Sequence, residues 1–211
     1  MSVTLPEKKR PVAAELGGQS ILIYGPPKVG KTTWANQFPD TLFLATEDGQ
    51  RFLECYLTKI RSWDDFKEAY KLLTGKEGKR YKTIAIDTID LLWKYCSESV
   101  GKKHGFEHPS DEDWGKGYQL IADEFQRGLN RLMALDKGVI MISHEATVEV
   151  KTRVLTITKT MPTLPKSARK IVLPMVSVIV YAGFRTTKDK ETGEVVEKRV
   201  AICEPSESLE A

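Results

Sequence analysis

Residues 24–39 read YGPPKVGKTTWANQFP, and positions 25–32 of this stretch match the pattern G-x-x-x-x-G-K-[ST]. The β-rich run SILIY (residues 20–24) precedes the match, and a segment typical of a helix follows it until Pro39 and Asp40. A loop with this pattern between a strand and a helix surrounds phosphate groups with backbone N–H groups. The stretch therefore predicts an α/β fold built around a phosphate-binding loop.

The residue types in the loop indicate its ligand. Gly25 and Gly30 let the backbone turn so that consecutive N–H groups point inward, and the two prolines stiffen the loop. A helix starting at Lys31 adds unpaired N–H donors and the positive end of its dipole, which favour an anion. Lys31 is expected to reach the β- and γ-phosphates of a nucleotide, and the Thr32 hydroxyl is expected to bind Mg²⁺. The predicted nucleotide-binding residues are Gly25, Pro26, Pro27, Lys28, Val29, Gly30, Lys31, Thr32 and Thr33.

Apolar runs and longer helical segments alternate through the first two thirds of the chain. Further strands are predicted at residues 41–46, 82–87 and 138–144, and helices at residues 62–75, 90–103 and 114–135. Because these strands are almost continuously apolar, they are expected to be parallel and covered by helices. Beyond them the pattern predicts a hairpin and two more strands. The predicted fold class is α/β, a mostly parallel sheet flanked by helices, with antiparallel strands added at the C-terminal edge.

A carboxylate ends the predicted strand at residues 82–87. Asp87 follows the apolar run TIAI, as in a Walker B motif, and is expected at the C-terminal edge of the sheet near Mg²⁺. Thr32 and Asp87 are therefore the predicted metal ligands. A second interpretation makes Asp87 the N-cap of the next helix, a role that also suits Asp90.

The hydrolytic base must come from outside these two motifs, because Thr88 and not a glutamate follows Asp87. Glu47 follows the second predicted strand. If that strand neighbours the strand before the phosphate loop, Glu47 faces the γ-phosphate and could orient a water molecule. Asp48 is the alternative base, and a surface position without a catalytic role is the alternative for Glu47. No NKxD motif occurs, so selectivity for GTP is not expected.

The segments GPPKVGKT, FLATEDG, TIAID and VIMISHE occur in the order and at intervals similar to those of RecA-like ATPases. Over roughly residues 19–204 the chain resembles the short RecA-like ATPases of phage recombination systems. These are often labelled AAA-family or P-loop ATP-binding proteins and are associated with single-strand annealing. The resemblance implies a RecA-like core, ATP and Mg²⁺ as cofactors, and ATP hydrolysis that depends on Mg²⁺ and rises with DNA.

The resemblance also assigns a role to the end of the fourth predicted strand. In such proteins a polar residue there senses the γ-phosphate and signals to a DNA-binding loop, and Ser143 and His144 occupy that place here. The predicted catalytic residues are thus Glu47, Lys31 and His144, while a structural role is the alternative for His144. RecA-type filaments carry two lysines after a late strand that reach the neighbouring subunit, and this chain lacks that pair. Basic residues of the last two strands could act across an interface, and nothing in the sequence selects among them.

The segment that follows His144 is the predicted DNA-binding surface. Residues 145–174 contain six basic and two acidic residues, a larger positive surplus than the net charge of +3 of the whole chain. The segment contains no aromatic residue, so salt-sensitive binding to the DNA backbone is expected instead of base stacking. A solvated hairpin without a ligand is the alternative. The predicted DNA-binding residues are Lys151, Arg153, Lys159, Lys166, Arg169 and Lys170.

Length and composition predict one globular domain. The chain has 211 residues, of which 41% are hydrophobic and 29% charged. We expect a flexible arm at residues 1–18, the ATPase domain at residues 19–204 and a tail at residues 205–211. No apolar run reaches the roughly 18 residues of a membrane span, no secretory signal is recognised, and the three cysteines lack metal-binding spacing. A cytoplasmic protein is expected, in the host cytoplasm if it is encoded by a phage.

Taken together, the sequence predicts an ATP-binding and ATP-hydrolysing RecA-like protein that acts on single-stranded DNA in recombination or annealing. The expected partners are single-stranded DNA, a single-strand-binding protein and further copies of the chain, without a membrane. One alternative is a nucleotide or small-molecule kinase, which would need an arginine-bearing lid that only Arg169 offers. The other alternative is an ATP-gated binding module with negligible turnover.

Overall fold

The computed structural model describes residues 16–111, 115–151, 156–188, 195–206 and 208–209. The strands in these ranges are β1 (Ser20–Gly25), β2 (Thr41–Ala45), β3 (Tyr56–Lys59), β4 (Thr83–Asp87), β5 (Gly138–Lys151), β6 (Thr156–Pro162), β7 (Val178–Lys188) and β8 (Val195–Ile202). The α-helices are α1 (Lys31–Ala35), α2 (Trp63–Thr74), α3 (Ile89–His104), α4 (Lys116–Met133) and α5 (Lys166–Met175). Single 3₁₀ turns occur at Leu16–Gly18, Glu77–Arg80 and Pro109–Asp111.

The strands form one sheet in the order β3-β2-β4-β5-β1-β7-β8. Its neighbouring pairs are parallel except for β7 and β8, which are antiparallel. Strand β6 pairs antiparallel with the part of β5 that begins at Glu145. The predicted fold class, a mostly parallel α/β sheet with helices and antiparallel edge strands, is confirmed. In detail, β7 is parallel to β1, so only β8 is antiparallel at that edge, and β6 lies beside an extension of the central strand β5.

Helices cover both faces of the sheet because the central strands are apolar on both sides. Strands β2 and β4 are buried at every position. On one face α2, α3, α4 and α5 enclose the larger core, where Trp63 stacks on Phe66 and packs against Phe125. On the other face α1 covers a smaller core that includes Phe43 and Ile140. This packing fixes the parallel strands so that their C-terminal ends meet at one edge of the sheet.

Local signals set the helix boundaries that the sequence predicts. The Ser62 hydroxyl accepts a hydrogen bond from the Asp65 backbone N–H at 3.1 Å, which caps the start of α2. Gly75 is the C-cap of the same helix. The predicted helices at residues 90–103 and 114–135 correspond to α3 and α4, within a few residues at each end where the structure describes them.

Two elements have no counterpart in the sequence prediction. Strand β3 is exposed at three of its four positions and lies at the sheet edge, so it carries no continuous apolar run. Helix α5 lies inside the segment predicted as a DNA-binding loop. Its buried residues Ala168, Ile171 and Val172 have helical spacing, but Pro165 and Pro174 interrupt the pattern.

Three other features differ in extent from the prediction. Helix α1 has only five residues, so its dipole is weaker than that of a long helix. Strand β5 does not end at His144 but continues to Lys151. Of the predicted flexible arm, residues 1–15 lie outside the described residues and Leu16–Gly18 form a 3₁₀ turn. Across the described ranges, no helix is long and apolar enough to cross a bilayer.

Candidate nucleotide-binding site

The predicted site residues follow the C-terminal ends of neighbouring strands. The register pairs Ala45 on β2 with Asp87 on β4, and Asp87 with Ile142 on β5. It also pairs Gly25 on β1 with His144 on β5. The phosphate loop, the end of β4 and the polar residues on β5 therefore meet at one edge of the sheet, as expected for ligand sites in α/β folds.

The phosphate loop requires glycine at two positions. A β-carbon on Gly25 would lie 1.9 Å from the carbonyl oxygen of Ala182 on β7, closer than any side chain tolerates. Gly30 has a φ of 105°, in the region that favours glycine. Lys28 also has a positive φ, 65°, so the loop turns sharply between the two glycines. The two glycines of the motif thus have separate tasks, close packing on β7 and a left-handed turn.

Lys31 lies folded against the loop that carries it. Its Nζ donates to the carbonyl oxygens of Gly25 at 2.7 Å and Pro26 at 2.9 Å. The residue is 7% exposed, and burial lowers the pKa of its ammonium group, while the nearby Asp87 and Glu145 oppose that shift. The side chain is therefore a buried cation at the base of the loop, where an anionic ligand would stabilise its charge.

Asp87 and Thr32 lie in contact, as expected for two ligands of one metal ion. The Thr32 hydroxyl donates to Asp87 Oδ2 at 2.9 Å, and Gln50 Nε2 donates to the same oxygen at 2.7 Å. Burial raises the pKa of Asp87, and the hydrogen bonds from Gln50 and Thr32 oppose that shift. A hydroxyl and a carboxylate are oxygen donors of the kind that Mg²⁺ prefers, so these residues fit the ion. Neither Asp87 nor Asp90 caps α3, whose N-cap residue is Thr88.

Glu47 lies at the site by a different route from the one predicted. The premise that the second strand neighbours the loop strand is wrong, because β4 and β5 lie between β2 and β1. Glu47 reaches the site from the loop that follows β2, and its Oε1 accepts from the Thr88 hydroxyl at 3.0 Å. His144 Nε2 lies 3.3 Å from the same oxygen. Asp48 instead pairs with Lys59 at 3.0 Å, which lowers the pKa of Asp48.

A cavity of about 520 Å³ lies beside the phosphate loop. It is lined by loop residues together with Glu47, Asp87, Thr88 and His144, and also by Phe52, which is 96% exposed. Its size falls in the ~300–1,000 Å³ range of small-molecule pockets. All three predicted catalytic residues, Glu47, Lys31 and His144, line this one cavity.

Asp90 joins the central strand to the strand that returns from the hairpin. Its carboxylate accepts from the Ser143 hydroxyl at 2.9 Å, the Thr163 hydroxyl at 2.9 Å and the His144 backbone N–H at 3.3 Å. Thr163 also donates its backbone N–H to the His144 carbonyl at 3.0 Å. Burial raises the pKa of Asp90, and the hydroxyl donors oppose that shift. Asp90 therefore holds the point where β5 leaves the parallel sheet and the chain from β6 enters α5.

We expect Asp90→Ala to lower the free energy of unfolding by roughly 1–3 kcal/mol, because the fully buried Ser143 hydroxyl loses its carboxylate acceptor. Asp90→Asn keeps one carbonyl acceptor and should lose less. Urea denaturation followed by tryptophan fluorescence measures both effects. Asp123→Ala, at an exposed position on α4, is the control and should change little. Equal unfolding midpoints and slopes for Asp90→Ala and the unmodified protein would contradict this role for Asp90.

Sequence reasoning missed three residues of the site. Gln50 binds Asp87, and Thr46 accepts from the Thr88 backbone N–H at 2.6 Å through its hydroxyl, which ties the ends of β2 and β4 together. Asp90 was considered only as a cap. Gln50 and Thr46 flank the acidic turn after β2, and their position at a strand end was the available signal. Their contacts are long-range, so no local pattern specifies them.

The predicted DNA-binding residues are divided between the β5–β6 hairpin and α5. Arg153 lies outside the described residues, Lys151 ends β5 and Lys159 is on β6. Lys166 and Lys170 are exposed on α5, while the guanidinium of Arg169 contacts the sulfur of Met161. Arg169 does not line the cavity beside the phosphate loop, so the arginine that a kinase lid would need is directed elsewhere.

A family model described as an AAA domain, AAA_24, matches residues 17–211. The chain belongs to this family. It is also 32% identical over 140 residues to "SPbeta prophage-derived uncharacterized protein YorG" of Bacillus subtilis (strain 168). That match covers 64% of this chain and 43% of the relative, so the chain corresponds to less than half of the relative's length.

A solved structure with a similar fold is that of the KaiC-like protein PH0186 from Pyrococcus horikoshii OT3, with a TM-score of 0.50 and 12% sequence identity. The match covers 89% of this chain and 79% of the other. At this identity the likeness concerns the fold alone. Together with the AAA_24 match and the prophage relative, it confirms the resemblance to RecA-like P-loop ATPases of the phage type.

Proposed function

We propose that the protein binds and hydrolyses ATP in the presence of Mg²⁺ and acts on single-stranded DNA in recombination or annealing. The observation that carries the ATPase proposal is that Lys31, Asp87 and Glu47 line one cavity beside the phosphate loop. A single-strand-binding protein and further copies of this chain are the partners proposed with it.

The phosphate loop binds the nucleotide through its backbone N–H groups, and Lys31 pairs with the β- and γ-phosphates. Thr32 and Asp87 hold the Mg²⁺ ion, which neutralises charge on the phosphate oxygens when it is bound. For Lys31 this requires the Nζ to exchange at least one of its two carbonyl acceptors for phosphate oxygens. Burial of Lys31 strengthens the pairing, because the charges meet in a region of low dielectric.

Glu47 orients the water molecule that attacks the γ-phosphate and accepts its proton. The Thr88 hydroxyl and His144 Nε2 both lie next to Glu47 Oε1, so they fix the direction of the carboxylate. His144 acts as a positioning residue for Glu47 and is close enough to the cavity to respond to the γ-phosphate. The hydrolytic base and the predicted sensor therefore act as a pair.

The route from the nucleotide to DNA runs along β5. His144 contacts Glu47 at the site, and the same strand continues as one side of the hairpin that carries Lys151 and Lys159. A change in the Glu47–His144 contact would act on β5 where Asp90 holds it. The basic segment then binds the DNA backbone in a manner that depends on bound ATP and on salt.

We expect the protein to bind a labelled single-stranded oligonucleotide more tightly with a non-hydrolysable ATP analogue and Mg²⁺ than without them. The double substitution Lys166→Ala/Lys170→Ala should weaken binding and lower the slope of log affinity against log salt by about 2, one for each lost phosphate contact. Fluorescence anisotropy at several salt concentrations measures both effects.

The control is Lys102→Ala/Lys103→Ala, which removes two exposed lysines from the last turn of α3. That turn lies at the opposite edge of the sheet from the nucleotide site, because α3 starts beside the C-terminal end of β4 and runs back along the sheet. The control should leave both the affinity and the salt slope unchanged. An absence of oligonucleotide binding at low salt with and without the analogue would remove the DNA role and leave the ATPase proposal intact.

A further inference from the structure

A second cavity, of about 300 Å³, adjoins the phosphate loop on the side of β7 and β8. Strand β1 lies between β5 and β7, so the loop that follows it has two flanks. The flank towards β5, β4 and β2 carries Glu47 and Asp87. The flank towards β7 and β8 carries Ala182 and Arg199. Both cavities share Gly30, Lys31 and Thr33 of the loop and the start of α1.

Arg199 extends from β8 to the phosphate loop of its own chain. Its Nη1 lies 3.7 Å from the position that a β-carbon on Gly30 would occupy, so the guanidinium lies over the backbone of the loop. Arg199 belongs to the basic residues of the last two strands that the sequence alone did not separate. The structure distinguishes it from the others by this contact within the chain.

We propose that Arg199 binds the α-phosphate of the nucleotide within its own chain, and that the adjoining cavity holds the nucleoside. This inference rests on the proposed ATP binding and adds the part of the site that binds the nucleoside end. It gives Arg199 a role as a binding residue in cis, on the flank of the loop opposite Glu47.

The order of groups along a triphosphate places the α-phosphate on this flank. The loop N–H groups surround the α- and β-phosphates, and the loop lysine reaches the β- and γ-phosphates. Asp87 and Thr32, which fit Mg²⁺, mark the γ-phosphate side. The α-phosphate and the nucleoside must then extend towards the other flank, where Arg199 is the cation beside Gly30. A planar guanidinium pairs with two phosphate oxygens at once, which suits this task.

The walls of the cavity suit a nucleoside. Val29 and Trp34 line it from the loop and α1, and Ala182 and Ala201 line it from β7 and β8. These side chains are mostly apolar, and two of them are small, which leaves room for a flat ring. Pockets for small ligands combine apolar walls with a few charged or polar groups in the same way.

The test measures the affinity for ATP and for inorganic tripolyphosphate, which lacks the nucleoside, by calorimetry with Mg²⁺. Arg199→Ala should weaken the binding of both ligands by roughly 10- to 100-fold, as expected for a hydrogen-bonded charge. Ala201→Phe fills the cavity and should weaken ATP binding at least tenfold while leaving tripolyphosphate binding unchanged. Lys198→Ala removes a neighbouring positive charge whose side chain lies on the other face of β8, and it should change neither affinity.

A mixing experiment separates action within the chain from action across an interface. If Arg199 acted on a neighbouring chain, mixing Lys31→Ala with Arg199→Ala would rebuild complete sites and restore tight ATP binding. We expect no restoration. Tight binding in the mixture would overturn the assignment in cis, and melting temperatures without nucleotide confirm that each variant is folded.

Each remaining outcome has one meaning. Unchanged affinity of Arg199→Ala for ATP would overturn the role of Arg199 while leaving the proposed function intact. Unchanged ATP affinity of Ala201→Phe would overturn the assignment of the cavity to the nucleoside. If the unmodified protein binds neither ATP nor tripolyphosphate, the proposed function fails and this inference fails with it.

Discussion

Lys31→Ala is expected to weaken ATP binding by roughly 30- to 5,000-fold in Kd and to abolish hydrolysis. The expected loss corresponds to ~2–5 kcal/mol, the cost of removing one partner from a buried, hydrogen-bonded pair of charges. Lys31 is 7% exposed and lies at the base of the loop, so water cannot readily replace its ammonium group beside the phosphates. Calorimetry with ATP and Mg²⁺ measures the affinity, and phosphate release measures turnover.

Thermal unfolding with and without ATP gives an independent measurement for the same variant. A ligand at 100 times its Kd stabilises the native state by about 2.7 kcal/mol, so ATP should raise the melting temperature of the unmodified protein and not that of Lys31→Ala. The control, Lys82→Ala, removes an exposed lysine that pairs with Asp40 at 3.5 Å near the opposite edge of the sheet. It should bind ATP normally. ATP-dependent stabilisation of Lys31→Ala equal to that of the control would show that the loop does not bind the triphosphate through this residue.

The sequence predicted the parts of the fold that local patterns specify. Apolar runs identified β1, β2 and β4, because a strand buried on both faces carries a continuous apolar signal. The glycine–lysine–threonine loop and Asp87 were recognisable because their residue types are tied to the end of a strand. Strand β3 and helix α5 were missed, since an exposed edge strand and a proline-flanked helix lack those signals.

The site was predictable in its members but not in its connections. Glu47, Asp87 and His144 were placed at one edge by strand order, yet the order assumed for Glu47 was wrong. The contact between Glu47 and His144 spans 97 positions of the chain, and the contact between Gln50 and Asp87 spans 37. Such pairings depend on how β2, β4 and β5 align, which no local pattern states. Arg199 became distinguishable only once β8 was placed beside the phosphate loop.

Glu47→Gln is expected to retain ATP binding and to lose hydrolysis by roughly 10²–10⁴-fold, the usual contribution of a general base. Glutamine keeps the size of the side chain and an oxygen that can accept from the Thr88 hydroxyl, so the local structure should persist. It cannot accept a proton from water near neutral pH, which removes the chemical step alone. Single-turnover measurement of phosphate release from ATP, at protein concentrations above Kd, separates this step from binding.

Asp48→Asn is the matched control, because the two carboxylates are adjacent in the chain and only Glu47 lines the cavity. The Asp48 carboxylate pairs with Lys59 and is largely exposed, so its loss should leave turnover near that of the unmodified protein. The opposite pattern, with slow hydrolysis in Asp48→Asn and normal hydrolysis in Glu47→Gln, would transfer the role of base to Asp48. It would also mean that the loop after β2 rearranges when ATP binds, since Asp48 must leave Lys59 to reach the γ-phosphate.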